Sequence, residues 1–69
     1  MREIVIKDDF IKLGQSLKLA HLVENGAVAK EVVQGGLVKV NGETDLRRGR
    51  KLVPGDVVEY RNESYRIVR

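Results

Sequence analysis

The sequence predicts an α+β fold in which two short packed helices are followed by a small antiparallel sheet. Three observations carry this. Apolar residues recur at helical spacing between Phe10 and Val33, the second half breaks into short β-branched runs, and the dipeptides Asn41-Gly42 and Pro54-Gly55 separate those runs as turns.

Taken in order, "REIVIK" from Arg2 to Lys7 is a β-branched run with charged ends, which suits a strand. Asp8 and Asp9 then read as the start of a helix, where negative charge is favoured. From Phe10 the residues Phe10, Leu13, Leu17 and Ala20 fall on one helical stripe, with Lys12 pointing away from it and Ile11 and Leu19 lying off it. Gly14 inside that helix costs about 1 kcal/mol relative to alanine. Its presence predicts close approach of another backbone, from protein or ligand. In "VENGAVAKEVVQGG", Asn25 is placed to cap a second helix, Ala29, Val32 and Val33 form its apolar face, and Gly35-Gly36 ends it. Helices of about ten residues are unstable alone in water, so these two must pack.

The remainder reads as "LVKV", "ETDL", "VVEY" and "YRIV" separated by turns. Asn41-Gly42 suits a type I′ hairpin because both central residues need φ > 0. Pro54-Gly55 suits a type II turn, in which proline presets φ and glycine accepts the left-handed position.

A chain of 69 residues predicts a single domain spanning residues 1–69. At that size only about 60% of the unfolded surface is buried. No cysteine is present, which excludes disulfides and thiolate metal sites. The N-terminal stretch lacks the apolar core of a signal peptide, and no run approaches the length of a membrane helix, so a soluble cytoplasmic protein is the expectation. The net charge of +3 is unevenly distributed: residues 1–38 carry five basic and five acidic side chains, residues 39–69 eight and five. That asymmetry points to a polyanionic partner.

An enzyme needs convergent titratable groups. His21 is the sole histidine, Ser16 and Ser64 have no histidine at a motif spacing, and Asp8-Asp9 are adjacent rather than opposed, so no catalytic residue, metal site or cofactor is expected. His21 reads as a surface residue near a helix C-terminus. Gly35-Gly36 precedes a strand, the wrong order for a phosphate-binding loop. What remains is the cluster Arg47, Arg48, Arg50 and Lys51, with Lys39 beside the Asn-Gly turn on what reads as one basic hairpin. Short charge runs are commonly just solvated loops. Here arginine predominates, and its planar fork suits phosphate oxygens. Aromatic residues are scarce, and Phe10 is assigned to the helix stripe, so recognition by shape and phosphate is expected over base stacking.

The segments "IKLGQSLK", "NGAVAKEVVQGGLVKVNGE" and "RRGRKLVPGDVVE" resemble the alpha-L RNA-binding motif, the domain first known from ribosomal small-subunit protein four. The likeness covers about residues 10 to 60 and is nearest to short free-standing bacterial members. It implies a non-enzymatic protein for structured RNA, ribosomal or transfer RNA, with the ribosome as a candidate partner and no small-molecule substrate; a monomer is the expectation, although the sequence leaves the oligomeric state open. Carried over position by position, it implies RNA contacts at Lys12, Lys30, Lys39 and Asn41, and the basic cluster fits the segment after the turn. Many members open the second helix with Ser-Arg where this chain has Asn25-Gly26, so a phosphate-contacting arginine of the family is missing. Either its load falls on Lys30 and the downstream arginines or binding is weaker, and the amides of Gly26 and Ala27 can still face a phosphate. A reading from another class is a protein-interaction adaptor whose basic hairpin docks an acidic protein surface.

Overall fold

The computed structural model describes residues 1–69. In chain order the elements are β1 (Arg2–Val5), β2 (Ile11–Lys12), α1 (Leu13–Leu19), α2 (Gly26–Gln34), β3 (Val38–Val40), β4 (Glu43–Thr44), β5 (Lys51–Leu52), β6 (Val57–Tyr60) and β7 (Glu63–Val68). Five strands form one sheet in the order β1-β7-β6-β3-β4, while β2 and β5 form a separate two-stranded ribbon. The fold is α+β as expected, with one difference: β1 runs parallel to β7, so the sheet is mixed. Turn dipeptides fix the direction of strands adjacent in sequence, whereas β1 pairs with the far end of the chain.

Period-2 alternation sets the two faces of the sheet. Val38, Val40, Val58, Tyr60, Tyr65 and Ile67 point into the core, and Lys39, Glu59 and Arg66 point out. Leu13, Leu17, Ala20, Ala29, Val32 and Val33 of the helical layer join the same apolar core. Tyr65, fully buried, links the layers: its hydroxyl lies 2.6 Å from Ser16 Oγ, and Ser16 Oγ in turn donates to the Leu13 carbonyl at 2.7 Å. The serine proton is thereby committed, so Tyr65 is the donor in the first bond. Burial pushes the Tyr65 phenol up to about 12.

The first helix differs from its expected limits. It begins at Leu13, its N-cap is Lys12 in extended conformation, and no acidic residue lies in its first turn. Asp8 and Asp9 therefore do not start it, and Phe10 is outside it. The reason is tertiary. Ile11 and Lys12 pair with Leu52 and Lys51, and the first helical amides are satisfied from elsewhere in the chain: Leu13 N–H donates to the Arg50 carbonyl at 2.8 Å and Gly14 N–H to the Arg48 carbonyl at 2.9 Å. The Arg48 backbone is the one that approaches Gly14, yet a Cβ there would lie 3.5 Å from the Arg48 oxygen, an ordinary contact, so the approach does not by itself require glycine.

The second helix follows its signals. Asn25 Oδ1 accepts from Val28 N–H at 3.0 Å. At the other end Gly36 takes φ 78°, and the bonds Gly36 N–H to Val33 O and Leu37 N–H to Val32 O complete a Schellman stop. Asn41 and Gly42 adopt φ 53° and 86°, as a type I′ turn requires, and Gly55 adopts φ 101° after Pro54. No helix is long and apolar enough to cross a membrane.

Candidate nucleic-acid interface

The site is built by the segment that leaves β4. Asp45, only 5% exposed, turns inward and accepts four hydrogen bonds: from Arg47 N–H at 2.9 Å, Arg47 Nε at 3.1 Å, Arg47 Nη2 at 2.9 Å and Arg50 Nη1 at 2.8 Å. The Arg47 side-chain bond holds the Asp45 carboxyl well below the usual carboxylate range, with Arg50 adding to the effect against the opposing cost of burial. The same contact raises the Arg47 guanidinium. Folded around this carboxylate, the loop directs the carbonyls of Arg48 and Arg50 at the start of α1 and leaves the Arg48 side chain exposed.

The loop, the polar face of α1 and the first half of α2 line a groove of about 280 Å³. Lys12, Lys18 and Arg48 supply its charge, Gly14, Gly26 and Ala29 line it with little bulk, and no carboxylate lines it. Three cations without a counter-charge in a concave site favour an anion. Asn25 occupies the Val28 amide, and Gly26, the first residue of α2, lines this groove.

Of the residues singled out from sequence, Lys12 and Arg48 come together here. Lys51 adjoins them as the cross-strand partner of Lys12. Arg47 and Arg50 are engaged by Asp45; the Arg47 side chain remains 72% exposed while bound, and that of Arg50 is 29% exposed. Lys30 is exposed on α2 and Lys39 on the outer face of the sheet, and neither lines the groove. Asn41 uses both ends of its amide within the protein, donating to Asp56 Oδ1 at 3.0 Å and accepting from Val57 N–H at 2.9 Å. The basic cluster is also not on the hairpin with Lys39. The β3–β4 hairpin ends at Thr44, and the chain from Asp45 crosses to α1 and finishes in β5.

Lys18 was not among the residues expected from sequence, although the spacing of Lys12, Gln15 and Lys18 marks a polar helix face opposite the apolar stripe. The aromatic assignment also changes. Tyr60 and Tyr65 are the rings buried in the core, at 4% and 0% exposure, whereas Phe10 is 38% exposed with Lys51 Nζ 4.8 Å from its ring centre.

Residues 4–68 match the family model described as "S4 domain". A protein of Bacillus subtilis named "Probable ribosome maturation protein RlbA" is 52% identical over 56 residues, covering 81% of this chain and 79% of its own. The Escherichia coli protein named "Putative RNA-binding protein YbcJ" is 36% identical over 62 residues, covering 90% of this chain and 89% of its own. Among solved structures, the 30S ribosomal protein S4e of Thermoplasma acidophilum superposes with a TM-score of 0.65 at 31% identity; the match covers 87% of this chain but only 32% of that protein.

Proposed function

Because the chain belongs to the S4 domain family, we propose that it is a non-enzymatic, cytoplasmic RNA-binding protein that grips structured RNA by its phosphates in the groove between α1, α2 and the Asp45–Lys51 segment. The observation that carries this reading is the convergence of Lys12, Lys18 and Arg48 on a groove that no carboxylate lines. The name of the Bacillus subtilis relative favours ribosomal RNA over transfer RNA and a role in ribosome maturation, and that of the Escherichia coli relative supports RNA binding. A groove floor of glycine and alanine fits a backbone pressed close, and phosphate contacts of this kind position an RNA without reading its sequence.

Salt titration tests it. If Lys12, Lys18, Arg48 and Lys51 each neutralise about one phosphate, log K against log salt falls with a slope of roughly −2.8 to −3.6, taking the single-strand and B-DNA coefficients as brackets. Reversing Lys12 and Arg48 together to glutamate flattens that slope by about 1.5 on any structured RNA. An unchanged slope in the double variant removes the groove from the RNA surface. Parent binding that is weak and indifferent to both substitutions favours the adaptor reading instead.

A further inference from the structure

The β2–β5 ribbon has two faces. Ile11 and Leu52 are paired and pack into the core. Lys12 and Lys51 are also directly paired, and they project from the other face. Like charges placed opposite each other destabilise a ribbon. Neither ammonium takes part in an ion pair; the salt bridges of the molecule lie at Asp45 and at Asp9–Arg69. Phe10 stands two residues before Lys12, hence on the same side, and Lys51 Nζ sits over its ring at 4.8 Å. The ribbon therefore presents a part-exposed aromatic ring beside two cations that are in no ion pair, with Asp8 and Asp9 bordering the recess between Phe10 and Lys12.

That combination matches one nucleotide: a phosphate for the ammonium pair and a base for the ring. We propose that Phe10, with Lys12 and Lys51, forms a stacking subsite for a single unpaired base of the RNA, a proposal that rests on the RNA-binding reading above. Continuity with the groove supports it. Phe10 borders an apolar trough of about 700 Å³ that reaches Val5 and Leu19 and shares Gln15 and Lys18 with the basic groove. A strand leaving the groove passes directly onto the ring. Asp8 borders this trough, and Asp8 and Asp9 both border the recess that Phe10 shares with Lys12, so the phosphate belongs at the groove end, where Lys12 and Lys18 meet with no carboxylate, and the base lies toward Val5. Bases inside a duplex are already stacked on their neighbours, so only a bulged, looped or overhanging base is free to use Phe10. Tyr60 and Tyr65 are buried, so the subsite takes one base.

The chain has no tryptophan, so Phe10→Trp introduces a sole indole reporter. Two blunt-ended RNA hairpins serve as probes, each closed by a non-nucleotide linker in place of loop bases and identical except that one carries a single bulged adenine. The bulged hairpin quenches the emission of that indole and the paired one does not. Phe10→Leu, which keeps an apolar side chain and removes the π face, weakens binding of the bulged hairpin by about 5- to 100-fold and leaves the paired hairpin unchanged. Thermal melting by circular dichroism confirms that Phe10→Leu is folded. Equal effects of Phe10→Leu on both hairpins, no effect on either, or unquenched emission at saturating bulged RNA overturns the subsite. An apolar trough reserved for a protein partner gives the second of these results. A parent protein that binds neither hairpin overturns the RNA-binding reading as well, so the two failures are distinct.

Discussion

Asp45 shows how one buried side chain sets a surface. Its carboxylate gathers Arg47 and Arg50 and so shapes the loop that offers Arg48 to the groove and two carbonyls to α1. Asp45→Ala removes hydrogen bonds to charged groups and leaves Arg50 half-buried without a partner, which costs about 2 kcal/mol in urea denaturation at pH 7. The pH dependence follows from the sign of the shift. The folded carboxyl titrates below its unfolded value of 3.8, so its contribution is fully present at neutral pH and is lost progressively as pH falls from about 4 downward. Below pH 4 the parent therefore loses stability more steeply than Asp45→Ala. Parallel acid-denaturation curves for the two proteins would assign that sensitivity to other carboxylates. Nothing in "ETDLRRGR" tells which way Asp45 faces, because an aspartate beside arginines reads equally well as a solvated hairpin; four of the eight residues first singled out are set apart by that contact or by the sheet. Arg47 and Arg50 turn to Asp45, Lys39 faces outward, and Asn41 closes a turn.

At the scale of elements, what was legible was local. The Asn25 cap, the Gly36 stop and the Asn41-Gly42 turn each work through neighbours a few residues away, and each is formed as read. Gly42 has φ 86° with no atom within 4 Å of a would-be Cβ, so strain and not crowding excludes a side chain there. Gly42→Val accordingly destabilises the fold by about 1–3 kcal/mol in a chemical melt, and a variant as stable as the parent would show that the hairpin accepts another turn type. The first helix failed locally because its limits are set from afar. The spacing of Phe10, Leu13 and Leu17 fits a helix, yet pairing with Lys51 and Leu52 draws Ile11 and Lys12 into a ribbon and leaves Phe10 outside. Gly14 sits at that junction, where a Cβ would meet its neighbours at 3.5 Å or more, an ordinary contact. Gly14→Ala therefore raises stability, by up to about 1 kcal/mol, measured by thermal unfolding. A destabilised variant would mean that the Arg48 backbone has no freedom to accept a methyl group.

For the whole molecule, position of charge counts for more than its amount. The basic half identified from composition divides between two surfaces: Arg48 and Lys51 join Lys12 and Lys18 beside the groove, whereas Lys39 and Arg66 share the outer sheet face with Glu59 and Glu3. On that face Lys39 stands opposite Glu59 and Glu3 opposite Arg66, a mosaic with little net field. Such a division is invisible to a charge count along the chain, because it depends on the Asp45–Lys51 segment leaving the sheet. It yields a paired comparison. Lys39→Glu and Arg48→Glu alter net charge identically, and both positions are exposed, so neither unfolds the protein. If attraction to RNA were a matter of net charge, both would weaken binding alike and equally at every salt concentration. With the groove as the contact, Arg48→Glu lowers affinity on unrelated structured RNAs and reduces the salt slope by about 1, while Lys39→Glu leaves the slope unchanged. Binding isotherms at several salt concentrations for the two variants separate these cases. A larger loss from Lys39→Glu would move the RNA onto the open face of the sheet.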